Sequence, residues 1–192
     1  LTFGYASPQA PLASHAHSLG RVVAGLPPTT AISFVGHSMG NLVVRRWLQD
    51  AQPDTVSRIN RMVMLGPPNQ GSDLARLAAS NHLLRNLASG AARELVLHWD
   101  RISRELQTPP FRYGIIAGGK GDNEGYSSLL EGDDDAIVRV SETQLQGSDG
   151  FLVIPVRHSR MMENTDVQKE TLRFLLQGRF AKKSFHTSLP GK

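Results

Sequence analysis

The chain has 192 residues, 40% of them hydrophobic and 20% charged, with 21 Lys plus Arg against 17 Asp plus Glu and a formal net charge of +4. That length favours one domain, since single cores commonly hold ~100–200 residues, and the composition excludes a disordered tail or a collagen-like fibre. The 0 cysteines exclude disulfides, zinc–thiolate sites and a cysteine nucleophile, and no apolar run approaches the ~18 residues of a membrane span.

The basic residues are scattered, and the adjacent pairs are Arg45–Arg46 and Lys182–Lys183. No Lys/Arg stripe interleaves with aromatics, so nucleic acid is not an expected partner. Leu1 is not Met, and Leu-Thr-Phe-Gly-Tyr opens directly as a strand. That opening points to a segment upstream of Leu1.

In chain order, Leu1–Ala6 is a candidate strand, followed by a loop with Pro8 and Pro11. Leu12 to Leu26 repeats apolar residues at helical spacing and ends at Pro27-Pro28. Ala31–Val35 is a short continuous apolar run, the pattern of a strand buried on both faces. A helix follows over Asn41–Asp50, then a strand over Ile59–Leu65. Ser72-Asp73 reads as the cap of a helix over Leu74–Ala79. Residues 82–106 read as one or two helices broken near Ser89-Gly90, either a lid or pocket wall or simply core. Phe111–Ala117 is the next strand, Gly118–Asp135 an acidic glycine-rich loop, and Phe151–Val156 the last strand. Thr165–Leu176 is the closing helix, and a frayed tail is expected from Phe180. The domain is expected over residues 1–178, with 179–192 as the tail.

Strands alternating with helices predict an α/β protein: a three-layer α/β/α sandwich around a mostly parallel sheet. In such a sheet the chemistry lies in loops at the carboxyl ends of the strands. Directly after the strand Ala31–Val35 stands Gly36-His37-Ser38-Met39-Gly40, a G-x-S-x-G string. The bare string is weak in a chain with 18 glycines, but a buried-type strand before it and a helix after it are the context its mechanics need. The sharp turn projects the Ser38 hydroxyl, and Gly36 and Gly40 avoid collisions with neighbouring elements. The Met39 N–H at the helix start is the expected oxyanion donor.

A serine nucleophile needs a base, and the base an orienting carboxylate. Of the seven histidines, His158 directly follows a late strand, which brings it to the same rim. The acid belongs after Phe111–Ala117, where Asp133-Asp134-Asp135 is followed by Ala136-Ile137-Val138. Asp135 is the choice, because the apolar residues after it would tuck it against the core. Asp133 and Asp134 are expected to face water, or to form an acidic calcium-binding loop.

With these residues in place, the chain resembles the α/β-hydrolase superfamily, in its compact lipase and serine-esterase branch. The likeness rests on Ile32–Gly40 as nucleophile strand and elbow, and on Met64-Leu65-Gly66-Pro67-Pro68-Asn69-Gln70-Gly71-Ser72 as the "LGTPHxGS" segment. It also rests on Asp135-Ala136-Ile137-Val138 as the acid segment, and on the spacing to His158. Pro68, Asn69 and Gln70 depart from the family pattern. The resemblance implies Ser38 as nucleophile, Asp135 as orienting acid, His158 as base and Met39 as oxyanion-hole residue. It implies a small-molecule or lipid ester as substrate and no metal or organic cofactor. The family's "HG" motif, which supplies a second oxyanion N–H, is not found, so the chain is expected to lack the N-terminal strands of the fold. Acyl transfer with the same three residues, and a silent hydrolase-fold binding protein, are the alternatives.

Overall fold

The computed structural model describes residues 1–4, 10–74, 77, 94–95 and 97–181. Its sheet has four parallel strands in the order β1-β2-β3-β4: β1 Ile32–His37, β2 Ile59–Leu65, β3 Arg112–Gly119 and β4 Gly150–Pro155. Because all strands run the same way, their carboxyl ends share one rim. In register, His37 stands beside Leu65, Leu65 beside Ile116, and Gly118 beside Ile154.

The side-chain period of two sorts the strands into two cores. Met62, Met64, Ile115, Ala117 and Phe151 pack with helices α1 (Leu12–Ala24) and α2 (Gly40–Leu48). Val63, Leu65, Ile116, Leu152 and Ile154 pack on the opposite face, with Val167 and Phe174 of the closing helix. Both faces are covered at β2 and β3, where Met62–Leu65 and Tyr113–Gly119 are buried throughout. The expectation that Ala31–Val35 is buried on both faces is corrected: Ser33 and Val35 are exposed, because β1 lies at the end of the strand order and the helices α1 and α2 cover its other face. Fully buried side chains such as Leu42, Met62 and Ile115 each contribute roughly 1.5–3 kcal/mol relative to exposure.

Helix α1 buries Leu12, His15, Ala16, Leu19 and Val23, the stripe a helix presents to a core. Glu94 accepts the Leu12 N–H at 2.8 Å, satisfying a donor that Pro11 at the cap position cannot. Gly20 lets the Trp47 ring of α2 approach, since a Cβ there would lie 3.2 Å from it. Trp47 in turn meets Phe34 of β1 edge-on at 5.7 Å. Among the described residues, the further helices whose full extent is defined are α3 Pro53–Val56, α4 Trp99–Arg104 and α5 Thr165–Gln177. Asn164 caps α5 by accepting from Asp166 and Val167 N–H, and Gly178 ends it at φ 72°.

Several expectations are corrected. Leu1–Gly4 form no strand, and Leu1 is fully exposed. The rest of that expected strand lies outside the described residues. Phe180 is not frayed: it is buried and stacks on Phe174 at 4.9 Å. Ile137 is exposed although Val138 beside it is buried. The expected helix at residue 74 does begin at Asp73, with Glu142 accepting the Asp73 N–H. Most of residues 75–93, and with them much of the candidate lid, lie outside the described residues.

Candidate active site

β1 runs directly into Ser38, whose φ of 53° is one of two positive values at non-glycine residues among those described. An L-residue adopts that conformation at a cost of order 1–3 kcal/mol, so the surroundings must hold it. They do. The Ser38 N–H donates to the Leu65 carbonyl at 2.8 Å. The Asn41 side-chain amide donates to the Ser38 carbonyl at 2.9 Å and to the Leu65 carbonyl at 3.3 Å. Asn41 is fully buried, and a Cβ on Gly36 would come within 2.2 Å of its Oδ1. Glycine at position 36 is therefore a packing requirement. Gly40 opens α2 and Met39 is its N-cap residue. Among the described residues no backbone carbonyl accepts the Met39 N–H, so a helix-terminal donor is left available at the rim.

Asp135 and His158 meet at the same rim. His158 Nδ1 lies 2.6 Å from Asp135 Oδ2. A carboxylate only accepts, so Nδ1 carries the proton and the Nε2 lone pair is free to take another. The main chain repeats the link, with the His158 N–H donating to the Asp135 carbonyl at 2.8 Å. The other Asp135 oxygen accepts the N–H groups of Ile137 at 3.0 Å and Val138 at 2.8 Å. These bonds, rather than apolar neighbours, compensate its complete burial.

Two glycines make room for the pair. A Cβ on Gly66, which has φ 50°, would lie 3.1 Å from the His158 ring and 2.9 Å from Met161 Sδ. A Cβ on Gly118 would lie 2.7 Å from Asp135 Cβ and 2.5 Å from the Val156 carbonyl. Gly66 follows Leu65, the residue that accepts the Ser38 N–H. The imidazole is thus packed over the strand end that adjoins Ser38. No hydrogen bond joins Ser38 Oγ to the ring in this structure; such bonds commonly tighten only with substrate bound.

The other two aspartates do not simply face water. Asp134 is fully buried and its carboxylate accepts N–H groups from Tyr126, Ser127 and Ala136, the last at 2.6 Å. Asp133 accepts those of Lys120 at 2.7 Å and Gly121 at 2.9 Å. Each acid therefore ties a different stretch of the loop. Among the described residues no group of three His, Asp or Glu side chains is gathered as a metal site would need.

Two features have no counterpart in the sequence reading. His37 donates from Nε2 to the His158 carbonyl at 3.1 Å, and its ring centroid is 4.7 Å from that of His158. Burial first, and then the neighbouring His158, hold the His37 pKa below its ordinary value. Its position inside the turn string Gly36–Gly40, directly before Ser38, is its signal in the sequence. The second feature is Arg45, buried on α2. It donates to Asn69 Oδ1 at 2.9 Å and to the Gln107 carbonyl at 3.0 Å. Asn69 passes the link on to the Thr143 carbonyl at 2.8 Å. All these acceptors are neutral, and burial lowers the Arg45 pKa to about 10. His82 and His186 lie outside the described residues.

The sequence matches no family model and no curated protein sequence. Solved structures share the fold. The mature form of the lipase BlEst2 from Bacillus licheniformis superposes with a TM-score of 0.67 at 16% identity, over 88% of this chain and 76% of that one. The metagenomic carboxyl esterase MGS0156 gives 0.61 at 21% identity, over 83% of this chain and 55% of that one. The phospholipase PlaB from Legionella pneumophila gives 0.60 at 17% identity, over 90% and 50%. The chain therefore spans about half the length of the esterase and the phospholipase. It has the α/β-hydrolase fold, in the form these lipase and esterase structures hold. Among the described residues no helix is long and apolar enough to cross a membrane.

Proposed function

We propose that the chain is a serine hydrolase cleaving carboxylic esters through an acyl-enzyme on Ser38. The observation that carries this reading is the Asp135–His158 pair, bonded at 2.6 Å, at the rim where Ser38 is held on a strained turn. His158 Nε2 accepts the Ser38 proton as Oγ attacks the ester carbonyl. Asp135 keeps the ring in the required tautomer and stabilises the imidazolium. The Met39 N–H receives the developing oxyanion. His158 then protonates the leaving alcohol, and in the second half-reaction it activates the water that releases the acid. The fold shared with a lipase and a carboxyl esterase supports ester chemistry.

The test is labelling with a fluorophosphonate probe together with hydrolysis of p-nitrophenyl esters. Wild type should label and turn over; Ser38→Ala should do neither, and His158→Ala should keep its fold and lose turnover. Labelling that survives Ser38→Ala would move the nucleophile elsewhere. Product analysis with an added alcohol separates hydrolysis from acyl transfer.

A further inference from the structure

We propose that His37 is a positioning residue that fixes the backbone carrying His158 relative to the strand carrying Ser38. The inference rests on the reading of those two residues as nucleophile and base. The reason is topological. Ser38 follows β1 and His158 follows β4, and these strands lie at opposite ends of the sheet order, separated by β2 and β3. Adjacent strands are ~4.8 Å apart, so three spacings put β1 and β4 roughly 14 Å from each other. No ladder bond joins them. The segment after β4 must double back across the rim to bring its imidazole to Gly66, next to Ser38.

Besides the local turn bond from the Met161 N–H to its carbonyl at 3.3 Å, His158 is held there by three hydrogen bonds to other parts of the fold. Two of them, from its ring and from its N–H, go to Asp135. Asp135 belongs to the loop after β3 and so ties His158 to the middle of the sheet. The third runs from His37 Nε2–H to the His158 carbonyl, across 121 residues of sequence. Among the described residues it is the one hydrogen bond joining β1 itself to the segment around His158. The ring contact at 4.7 Å adds a packing surface on the same side. Without this link the His158 segment keeps its hold on Asp135 but can swing away from β1. The Asp135–His158 distance would survive, and the Ser38–His158 distance would not. Misplacement of ~1 Å at a reacting centre typically costs on the order of 10²-fold in rate.

Three variants of the full chain test this. His37→Phe keeps a ring and removes the donor, His37→Leu removes both, and His37→Gln restores an N–H donor at a similar reach. The readouts are kcat and KM with a p-nitrophenyl ester, and the rate of fluorophosphonate labelling. A third readout is the low-field proton resonance of His158 Nδ1–H, assigned by its loss in Asp135→Asn. His37→Phe and His37→Leu should lose on the order of 10²-fold in kcat with KM within about twofold. His37→Gln should recover to within about tenfold of wild type. The resonance should stay present in all three and broaden in the two donor-less variants. Equal kcat in all variants, or a loss in His37→Gln as large as in His37→Phe, overturns the proposal. A wild type without ester turnover would refute the hydrolase reading. The resonance would still test the clamp: unchanged width in the donor-less variants overturns it, and broadening that His37→Gln reverses supports it.

Discussion

His158 and Asp135 are joined twice, by Nδ1 to Oδ2 at 2.6 Å and by main-chain N–H to carbonyl at 2.8 Å. The side-chain bond sets the tautomer and the main-chain bond sets the distance. Removing the carboxylate charge should therefore leave the histidine in place and misdirect its proton.

Asp135→Asn should lower kcat/KM by about 10⁴-fold, the scale seen when a base loses its orienting carboxylate, with little change in fold by circular dichroism. Asp134→Asn should do the opposite. Its carboxylate accepts three loop N–H groups while fully buried, so an amide there should cost about 1–3 kcal/mol in a denaturant titration and leave most of the activity. The reverse pattern would move the acid by one residue.

Gly66→Ala places a methyl at 3.1 Å from the His158 ring, on a backbone at φ 50°. The backbone strain should cost about 1–2 kcal/mol. Displacement of the ring should cost more in function, on the order of 10²-fold in kcat. Thermal melting and ester kinetics on the same preparation compare the two losses; full activity in this variant would remove the ring from the reaction.

Arg45→Ala leaves Asn69 Oδ1 and the Gln107 carbonyl without a donor and opens a cavity beside α2. The expected loss is about 3 kcal/mol, seen as a fall in Tm of about 10 °C. A melting temperature unchanged from wild type would show that the buried guanidinium carries no net stabilisation.

His37 has a folded pKa below its ordinary value. The unfolded chain therefore binds a proton at that residue more readily than the folded one. Its contribution to stability is complete above about pH 6.5 and is lost as pH falls towards the lowered value. His37→Gln removes that component. Its Tm should fall less than the wild-type Tm between pH 7 and pH 5, and parallel declines would contradict the depressed pKa.

The sheet was largely legible because the well-buried strands β2, β3 and β4 write themselves as short, mostly apolar runs, while β1 showed the same run with one face exposed. Ile59–Leu65 matches β2 from end to end, and the run at Phe151 is shifted by one residue from β4. The meeting of Asp135 and His158 was legible from chain order, since each follows a parallel strand and reaches the same rim. The burial of Asp134 was not, because it is satisfied by N–H groups of a loop whose path leaves no periodic trace. Arg45 was hidden for a related reason: the carbonyls that compensate it lie some sixty residues away. Leu1–Gly4 are not a strand although their residue types suit one, because a strand depends on pairing that four residues of sequence do not encode.

The acidic run after β3 divides its labour: Asp133 pins residues 120 and 121, Asp134 pins 126, 127 and 136, and Asp135 alone reaches the histidine. Between those stitches Asp122 accepts the N–H groups of Glu124 and Gly125 and Leu130 is buried, while Asn123, Ser128, Leu129, Glu131 and Gly132 are exposed. Those exposed side chains can be exchanged while the Asp135–His158 contact stays where it is, because none of them bonds to either residue. Variation in this stretch and constancy of the pair are thereby uncoupled.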